Sequence, residues 1–364
     1  MSELPGVDSR AIVLTEIEQM GGAERAVLAL SRWLYGHGLA HHFVTYEDRA
    51  DLAAQAGHPV TVVQLRPEMR ARKKIAALRK YFAGRKGEPR PLVSGYQPAL
   101  HATLAGVRGF HCLMHDTPSL FDRPGMAVKT KVLRVVSNAI IGRGLRGGGK
   151  TIVTSEFLRE DCRRVFGVDA DIARMGGMSE AGAFRLRRVD GELRLLSVSR
   201  IEGNKRIDWM LRALAAMELS ARVDWRLDVV GRGAQMEAMR SLAMELGLGE
   251  RVTFHGYVSD EELKRMYGAA HLFLMPAVQG YGIPAIEALT RGLPVLLHRE
   301  SGVSDILLAT PWATVIVGGE EGMLPGLRSA VENVIEARQF EVPLPVLPSE
   351  DEWAERVAWL CGWV

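Results

Sequence analysis

The 364-residue chain has no apolar run that approaches the roughly 20 residues a membrane-crossing helix requires. Cysteine is scarce: Cys112, Cys162 and Cys361 are odd in number, far apart and in no metal-ligand pattern. That usage fits reduced thiols in a cytoplasmic protein better than a disulfide framework. Charge of one sign is not in excess either. Lys and Arg total 46 against 43 Asp and Glu, and the net +3 gives no global field that would argue for nucleic acid as a partner. Residues 1–19 carry acidic side chains and no apolar core, so no secretory signal is expected there. Also missing are His-Glu-x-x-His, Gly-x-Ser-x-Gly and a Gly-x-Gly-x-x-Gly turn after a strand, which disfavours the hydrolase and dehydrogenase chemistries those motifs serve. Residues 144–151 fit the phosphate-loop spacing formally, but a strand rather than a helix follows them. Asp169-Ala170-Asp171 stands just after a helix, where it makes a poor metal site, so neither metal nor cofactor is expected.

What is present is a repeated alternation of short apolar runs and amphipathic segments. Strand-like runs fall at 11–15, 42–46, 60–65, 92–95, 110–114 and 151–155, with a helical pattern at 24–35. The pattern restarts with strands at 193–199, 226–230, 252–255, 271–275 and 293–297, separated by helices at 208–217, 234–246 and 260–268. Such alternation predicts α/β architecture: two Rossmann-like domains with doubly wound parallel sheets. Residues 175–191 are rich in Gly and Arg and lack periodicity, so the boundary is placed near 190. The expected division is 1–190, 191–348 and a helix within 349–364 whose Trp353, Val357, Trp359, Leu360 and Trp363 recur at roughly helical spacing.

The most informative stretch is Met275-Pro276-Ala277-Val278-Gln279-Gly280-Tyr281-Gly282-Ile283-Pro284-Ala285-Ile286-Glu287. A strand runs into a glycine loop that opens a helix, with Pro284 in the first turn, where its fixed φ and missing N–H fit. Gly280 and Gly282 leave backbone N–H groups open to an anionic ligand, and Glu287 stands one turn in, placed to accept hydroxyl hydrogen bonds. In open α/β sheets, loops at carboxyl strand ends bind ligands. Upstream, the strand ending at Ser199 leads into Arg200-Ile201-Glu202-Gly203-Asn204-Lys205-Arg206, two cations five residues apart.

These segments resemble glycosyltransferase family 4, the Glu-x7-Glu retaining enzymes of the GT-B fold. Gln279 stands at the first Glu position, Tyr281 at a usual Phe, and Glu287 at the second Glu. Residues 200–206 resemble Arg-x-x-x-x-Lys-Gly, with Arg206 for the Gly. Val230-Gly231-Arg232-Gly233 resembles the turn that keeps a nucleotide crevice open, and residues 254–258, ending in Val258, resemble a base-pocket segment. Residues 301–305 match a small-Gly-x-x-acid stretch, with Asp305 for Glu. In the first domain Gly21-Gly22-Ala23-Glu24-Arg25 resembles a loop facing the donor diphosphate, and His115-Asp116 a position beside the donor sugar. The usual Asn-Gly-Val-Asp is replaced by Met175-Gly176-Gly177-Met178.

The resemblance implies GT-B domains facing across a cleft and a metal-independent hexosyltransferase. It implies a nucleoside-diphosphate sugar as donor, GDP-mannose being slightly favoured, and a lipid-linked saccharide as acceptor, in surface polysaccharide or glycolipid assembly. Arg200 and Lys205 are expected to bind the leaving diphosphate, Glu287 the ribose, and Gln279 with His115 the sugar; Gly21, Gly22, Gly231, Gly233, Val258, Gly280, Tyr281, Gly282 and Ile283 would line the donor. A glutamine at 279 hydrogen-bonds hydroxyls but lends no charge to a cationic transition state. The alternatives are a catalytically weakened nucleotide-sugar-binding or scaffolding paralogue, and an epimerase or phosphorylase on the same fold.

Residues 66–90 hold ten Lys or Arg against two Glu, and 124–155 hold six basic residues and no acid. A helix over 68–82 would place Ala71, Ile75, Leu78 and Phe82 on one face. These two basic segments predict docking on an anionic membrane surface, the protein being peripheral at the inner face of the plasma membrane.

Overall fold

The computed structural model describes residues 8–364 except 19, 68–69, 86, 116, 122–126, 178–184, 186, 218–223 and 308–309. The expectations for Glu68, Asp116 and Met178 therefore lie outside the described residues. The chain forms two units, one of residues 1–178 with 348–364 and one of 179–347, so the division falls ahead of the expected 190.

In the first unit the strands are β1 (Arg10–Val13), β2 (His41–Thr45), β3 (Thr61–Gln64), β4 (Leu92–Ser94), β5 (His111–Met114), β6 (Thr151–Val153) and β7 (Asp171–Ile172). They pair in the order β3-β2-β1-β4-β5-β6-β7, and every pairing is parallel. Parallel strands need helical crossovers that cover both faces, which is why β2, β4, β5 and β6 read as apolar runs with little alternation. Helix ends are marked by local chemistry. Ser155 Oγ accepts from Leu158 N at the start of Glu156–Phe166, and Gly167 closes that helix with φ +63°.

Helix Glu350–Leu360 belongs to this unit and packs on helix Gly22–Gly36. Ser349 and Glu352 form a capping box at its start, and Trp353, Ala354, Val357, Ala358 and Leu360 are buried. Arg32 pairs with Glu350 at 3.0 Å, and Arg10 Nη2 donates to the Trp363 carbonyl at 3.1 Å. The contact also accounts for Gly176. A Cβ there would lie 2.5–2.7 Å from backbone atoms of residues 348–350, so the segment after β7 passes the helix start only without a side chain.

Helix Ala71–Ala83 corrects one expectation. Leu78 is buried and Ile75 and Phe82 pack on the core of this unit, while Lys74 is turned inward onto Glu16. Its apolar face is spent on the fold. Arg72, Lys73, Arg79 and Lys80 face solvent, together with the small Ala71, Ala76 and Ala83.

In the second unit β8 (Glu192–Val198), β9 (Asp224–Val230), β10 (Val252–Gly256), β11 (Leu272–Met275), β12 (Val295–His298) and β13 (Ala313–Ile316) pair in the order β10-β9-β8-β11-β12-β13. All pairings are again parallel. Both sheets are doubly wound. The order reverses between β1 and β4 in one and between β8 and β11 in the other, and such reversals open a crevice at the carboxyl ends of the flanking strands.

Candidate functional site

The loops that follow β8 and β11 flank the reversal in the second sheet, and they carry Lys205 and Gln279. They are tied to each other and to the loop after β12. Val278 N donates to Asn204 O at 2.8 Å, and Asn204 Nδ2 donates back to Val278 O at 3.0 Å. Gln279 N donates to Glu300 O at 3.1 Å, Gly302 N to Gln279 O at 3.1 Å, and Val303 N to Tyr281 O at 2.9 Å, so residues 279–281 and 300–303 form a short parallel ladder.

On this frame Lys205 Nζ donates to Gln279 Oε1 at 2.6 Å. The Gln279 amide spends its donor on Ser301 Oγ at 3.1 Å and Met275 Sδ at 2.9 Å, and Ser301 Oγ donates onward to Tyr281 O at 3.1 Å. The Lys205 pKa is lowered from 10.5 to about 8, chiefly by burial and then by the Arg200 charge, with Glu202 opposing them. A glutamine answers this cation with a dipole, not a charge.

Arg200, on the same loop, is largely solvent-exposed and bonds Glu202 at 2.9 Å. The structure thus brings Lys205 and Gln279 into contact, with Arg200 near enough to act on Lys205 electrostatically. Glu287 is placed differently. It lies on helix Ile283–Thr290, where Oε2 faces the Tyr267 hydroxyl at 3.3 Å, and Arg291 Nη1 binds its main-chain carbonyl at 2.6 Å. The Tyr267 hydroxyl is fully enclosed, and burial with the neighbouring carboxylate raises its pKa well above 10.0.

The glycines permit close approach of the loops. A Cβ on Gly231, at φ +132°, would fall 1.9 Å from Ser199 O; one on Gly233 would fall 2.2 Å from Ile201 O. Without them the loop after β9 could not lie against that after β8, where Ser199 N reaches Val230 O at 3.0 Å and Ile201 N reaches Arg232 O at 2.9 Å. Val258 is half-buried past β10, beside exposed Tyr257, whose ring carries the Arg232 guanidinium at 5.7 Å. Tyr281 is buried, and Ile283 opens the helix after Gly282. Gly280 lies between the Gln279 and Tyr281 rungs of the ladder.

Arg206 was legible only as a departure from glycine. It sits at φ +54°, the left-handed region, where a side chain costs roughly 1 kcal/mol or more. Its guanidinium pairs with Glu300 at 2.6 Å and stacks on Trp209 at 4.1 Å. That side chain pins the turn carrying Lys205 to the loop after β12. Arg206→Gly removes the strain and the tether together, so chemical unfolding should change by no more than about 1 kcal/mol. A loss of several kcal/mol would make Arg206 a structural keystone. Ser301, which opens the 301–305 stretch, completes the network with Glu300, Asn204 and Tyr267; the residue types of the last three carry no signal until the loops meet.

In the first unit His115 follows β5 and lies 3.1 Å from Ser94 Oγ at the end of β4. Gly21 caps helix Gly22–Gly36 while its own N–H donates to Glu24 Oε2 at 3.0 Å, and Gly22 is exposed.

Several known proteins are similar to this chain in sequence or fold. A stretch of 133 residues is 34% identical to the GDP-mannose-dependent α-(1-6)-phosphatidylinositol monomannoside mannosyltransferase of Mycolicibacterium smegmatis, covering 34% of this chain and 34% of that protein. The O-antigen chain mannosyltransferase B of Escherichia coli is 30% identical over 115 residues, 31% of this chain and 30% of that protein. The chain thus spans about a third of the length of these curated relatives. Among solved structures, WaaG, a glycosyltransferase involved in lipopolysaccharide biosynthesis, superposes with a TM-score of 0.71 at 19% identity over 95% of this chain and 99% of that one. Anabaena HepE in complex with UDP and glucose superposes with a TM-score of 0.72 at 14% identity, over 98% and 100%. Residues 179–323 match the glycosyl transferases group 1. That match lies within the second unit, and the two doubly wound units together have the GT-B fold of the solved glycosyltransferase structures.

Proposed function

We propose that this protein moves a hexose from a nucleoside-diphosphate sugar to a hydroxyl of a lipid-linked saccharide, with retention at the anomeric carbon. The observation that carries the reading is the Lys205 ammonium, fixed on neutral Gln279 where the loops of three strands join. A cation that forms no direct ion pair among the described residues is suited to a diphosphate, and Arg200 on the same loop, itself paired with Glu202, adds a guanidinium donor. In the transfer, the bond from the anomeric carbon to the diphosphate oxygen breaks and the bond to the acceptor oxygen forms on the same face. The acceptor proton goes to the leaving phosphate. Lys205 and Arg200 stabilise the charge left on that phosphate. Glu287 accepts from ribose hydroxyls, and Gln279 orients the sugar; His115, Gly21 and Gly22 are proposed as the first unit's contributions to substrate recognition. The likeness to a GDP-mannose-dependent mannosyltransferase supports GDP-mannose as donor.

A thermal-shift screen across nucleotide sugars, followed by product analysis on lipid-linked acceptors, tests the reading. Stabilisation by a nucleotide sugar and transfer of its hexose are expected, and absence of both overturns it. Binding without turnover would instead support a weakened paralogue, a reading that the glutamine at 279 favours.

Gln279→Glu separates the two further. A carboxylate 2.6 Å from Lys205 would raise the depressed ammonium pKa, at the cost of the amide donor to Ser301. Diphosphate binding by the wild type should weaken as pH rises through about 8, because the ammonium loses its proton there. The variant should hold binding to higher pH and keep or raise transfer. Identical pH profiles for the two proteins would remove Lys205 from the site.

A further inference from the structure

Helix Asp260–Ala269 has a single buried residue, Tyr267. Its ring stacks on Phe273 of β11 with centroids 5.8 Å apart, and the buried Arg291 guanidinium covers it at 4.9 Å. A phenylalanine would fill that slot equally well, so the hydroxyl needs its own account. It faces two acceptors, Pro284 O and Glu287 Oε2, each at 3.3 Å. O–H···O bonds in proteins centre on about 2.7–2.8 Å. Two contacts this long return little of the cost of taking a hydroxyl out of water. The carboxylate is the stronger acceptor because it is charged. Burial, and then the Glu287 charge, raise the Tyr267 pKa well above 10.0, so the hydroxyl keeps its proton and serves Glu287 as a donor. Arg291 holds the same residue by its main chain, Nη1 donating to the Glu287 carbonyl at 2.6 Å.

We infer that Tyr267 is a positioning residue: by holding Glu287 Oε2 it sets the plane of that carboxylate for the adjacent hydroxyls of a ribose, and so gives the donor site a preference for ribonucleoside over deoxyribonucleoside diphosphates. The inference deepens the reading of Glu287 as the acceptor of ribose hydrogen bonds, and rests on it. The last torsion of a glutamate side chain is broad and nearly two-fold, so an untethered carboxylate presents its edge to a diol only part of the time. An ionised carboxylate offers about four acceptor sites. Committing one of them to Tyr267 aligns the group before the ligand arrives, which strengthens binding without any new contact to the ligand. Tyr267 itself is only 1% exposed, while Glu287 is half-buried, so the tyrosine acts through the carboxylate and not on the nucleotide.

Equilibrium binding of GDP and of 2′,3′-dideoxy-GDP to the full chain tests this, because the two differ only in the ribose hydroxyls. The pair UDP and 2′,3′-dideoxy-UDP is run alongside. The wild type should bind the ribonucleotide at least about tenfold more tightly, the return expected from hydrogen bonds to a charged group. Tyr267→Phe keeps the ring against Phe273 and Arg291, and Tyr267→Met fills the same slot with an adaptable side chain. Both should cut the preference by about threefold or more, through weaker ribonucleotide binding alone, with the dideoxy affinity unchanged. A tyrosine kept for packing would lower the two affinities equally or not at all, and either result overturns the inference. Glu287→Ala separates it from the reading on which it rests. The preference should vanish in that variant. If it does so while both tyrosine variants keep the wild-type preference, Glu287 reads the ribose without help from Tyr267. No preference in the wild type, or no binding of either ribonucleotide, removes the inference and the ribose reading together.

Discussion

Lys205→Met should lose about 10²–10³ in transfer rate while gaining stability at neutral pH. The two effects have one cause. The ammonium is held in a partly buried loop with a neutral acceptor, and burial depresses its pKa from 10.5 to about 8. That shift corresponds to at most roughly 3 kcal/mol of penalty for the charged form. The sign follows from proton counting. Between pH 8 and 10.5 the unfolded chain binds the proton and the folded chain does not, so stability rises with pH across that window. Below about 8 both states carry the proton and the penalty is present in full. Methionine retains the aliphatic stem and removes the charge, so unfolding at pH 7 should occur at higher denaturant in the variant. A nucleoside diphosphate should no longer stabilise it. A lysine kept for packing alone would show neither the gain nor the loss of ligand response. Undiminished transfer by the variant would refute the site assignment.

Gly282→Val should be the most damaging single change in the loop after β11. The residue sits at φ +121°, outside the range that a β-branched side chain tolerates. A Cβ there would also fall 2.7 Å from Gln279 Nε2, 2.7 Å from Met275 Cε and 3.1 Å from Ser301 Oγ, crowding the Gln279 amide and the two side chains it donates to. Strain and collision together should cost about 3 kcal/mol or more. The variant should unfold earlier in denaturant, and any folded fraction should fail to respond to nucleotide. Gly268→Val is the control, since a Cβ at Gly268 meets nothing within 4 Å. Equal losses from both would show that the damage is a generic effect of removing glycine.

The strands were legible because parallel sheets buried on both faces demand continuous apolar runs, and each expected run has a counterpart from β1 to β6 and from β8 to β12. The exceptions are instructive. Asp171–Ile172 has two residues, too few for any period, and Ala313–Ile316 has no alternation to betray it. Residues 144–151 imitate a phosphate loop for a steric reason. A Cβ on Gly149 would lie 1.8 Å from Phe110 O, so the glycine serves backbone crossing before β6. At the site, spacing and resemblance pointed to Lys205 and Gln279, but not to their mutual hydrogen bond, which depends on loops 74 residues apart in sequence. Arg206 was hidden because arginine gives no hint of a left-handed backbone, and the ion pair that holds it there is tertiary. Helix Ala71–Ala83 was read as a free amphipathic face, but burial of Lys74 against Glu16 and of Leu78 in the core turns it inward. No local pattern distinguishes a stripe bound for the core from one left in solvent.

The discontinuity of the first unit has a consequence for biosynthesis. The chain leaves that unit at residue 178 and rejoins it only at 348. On a ribosome, the rest of the first unit would wait for helix Glu350–Leu360 through the translation of the 169 residues of the second unit (179–347), with the face of helix Gly22–Gly36 that packs on it uncovered all that time. Until synthesis is nearly over, the nascent first unit exposes apolar surface of the kind that promotes aggregation. Nonsense codons anywhere before position 353 should yield aggregating fragments instead of a soluble half.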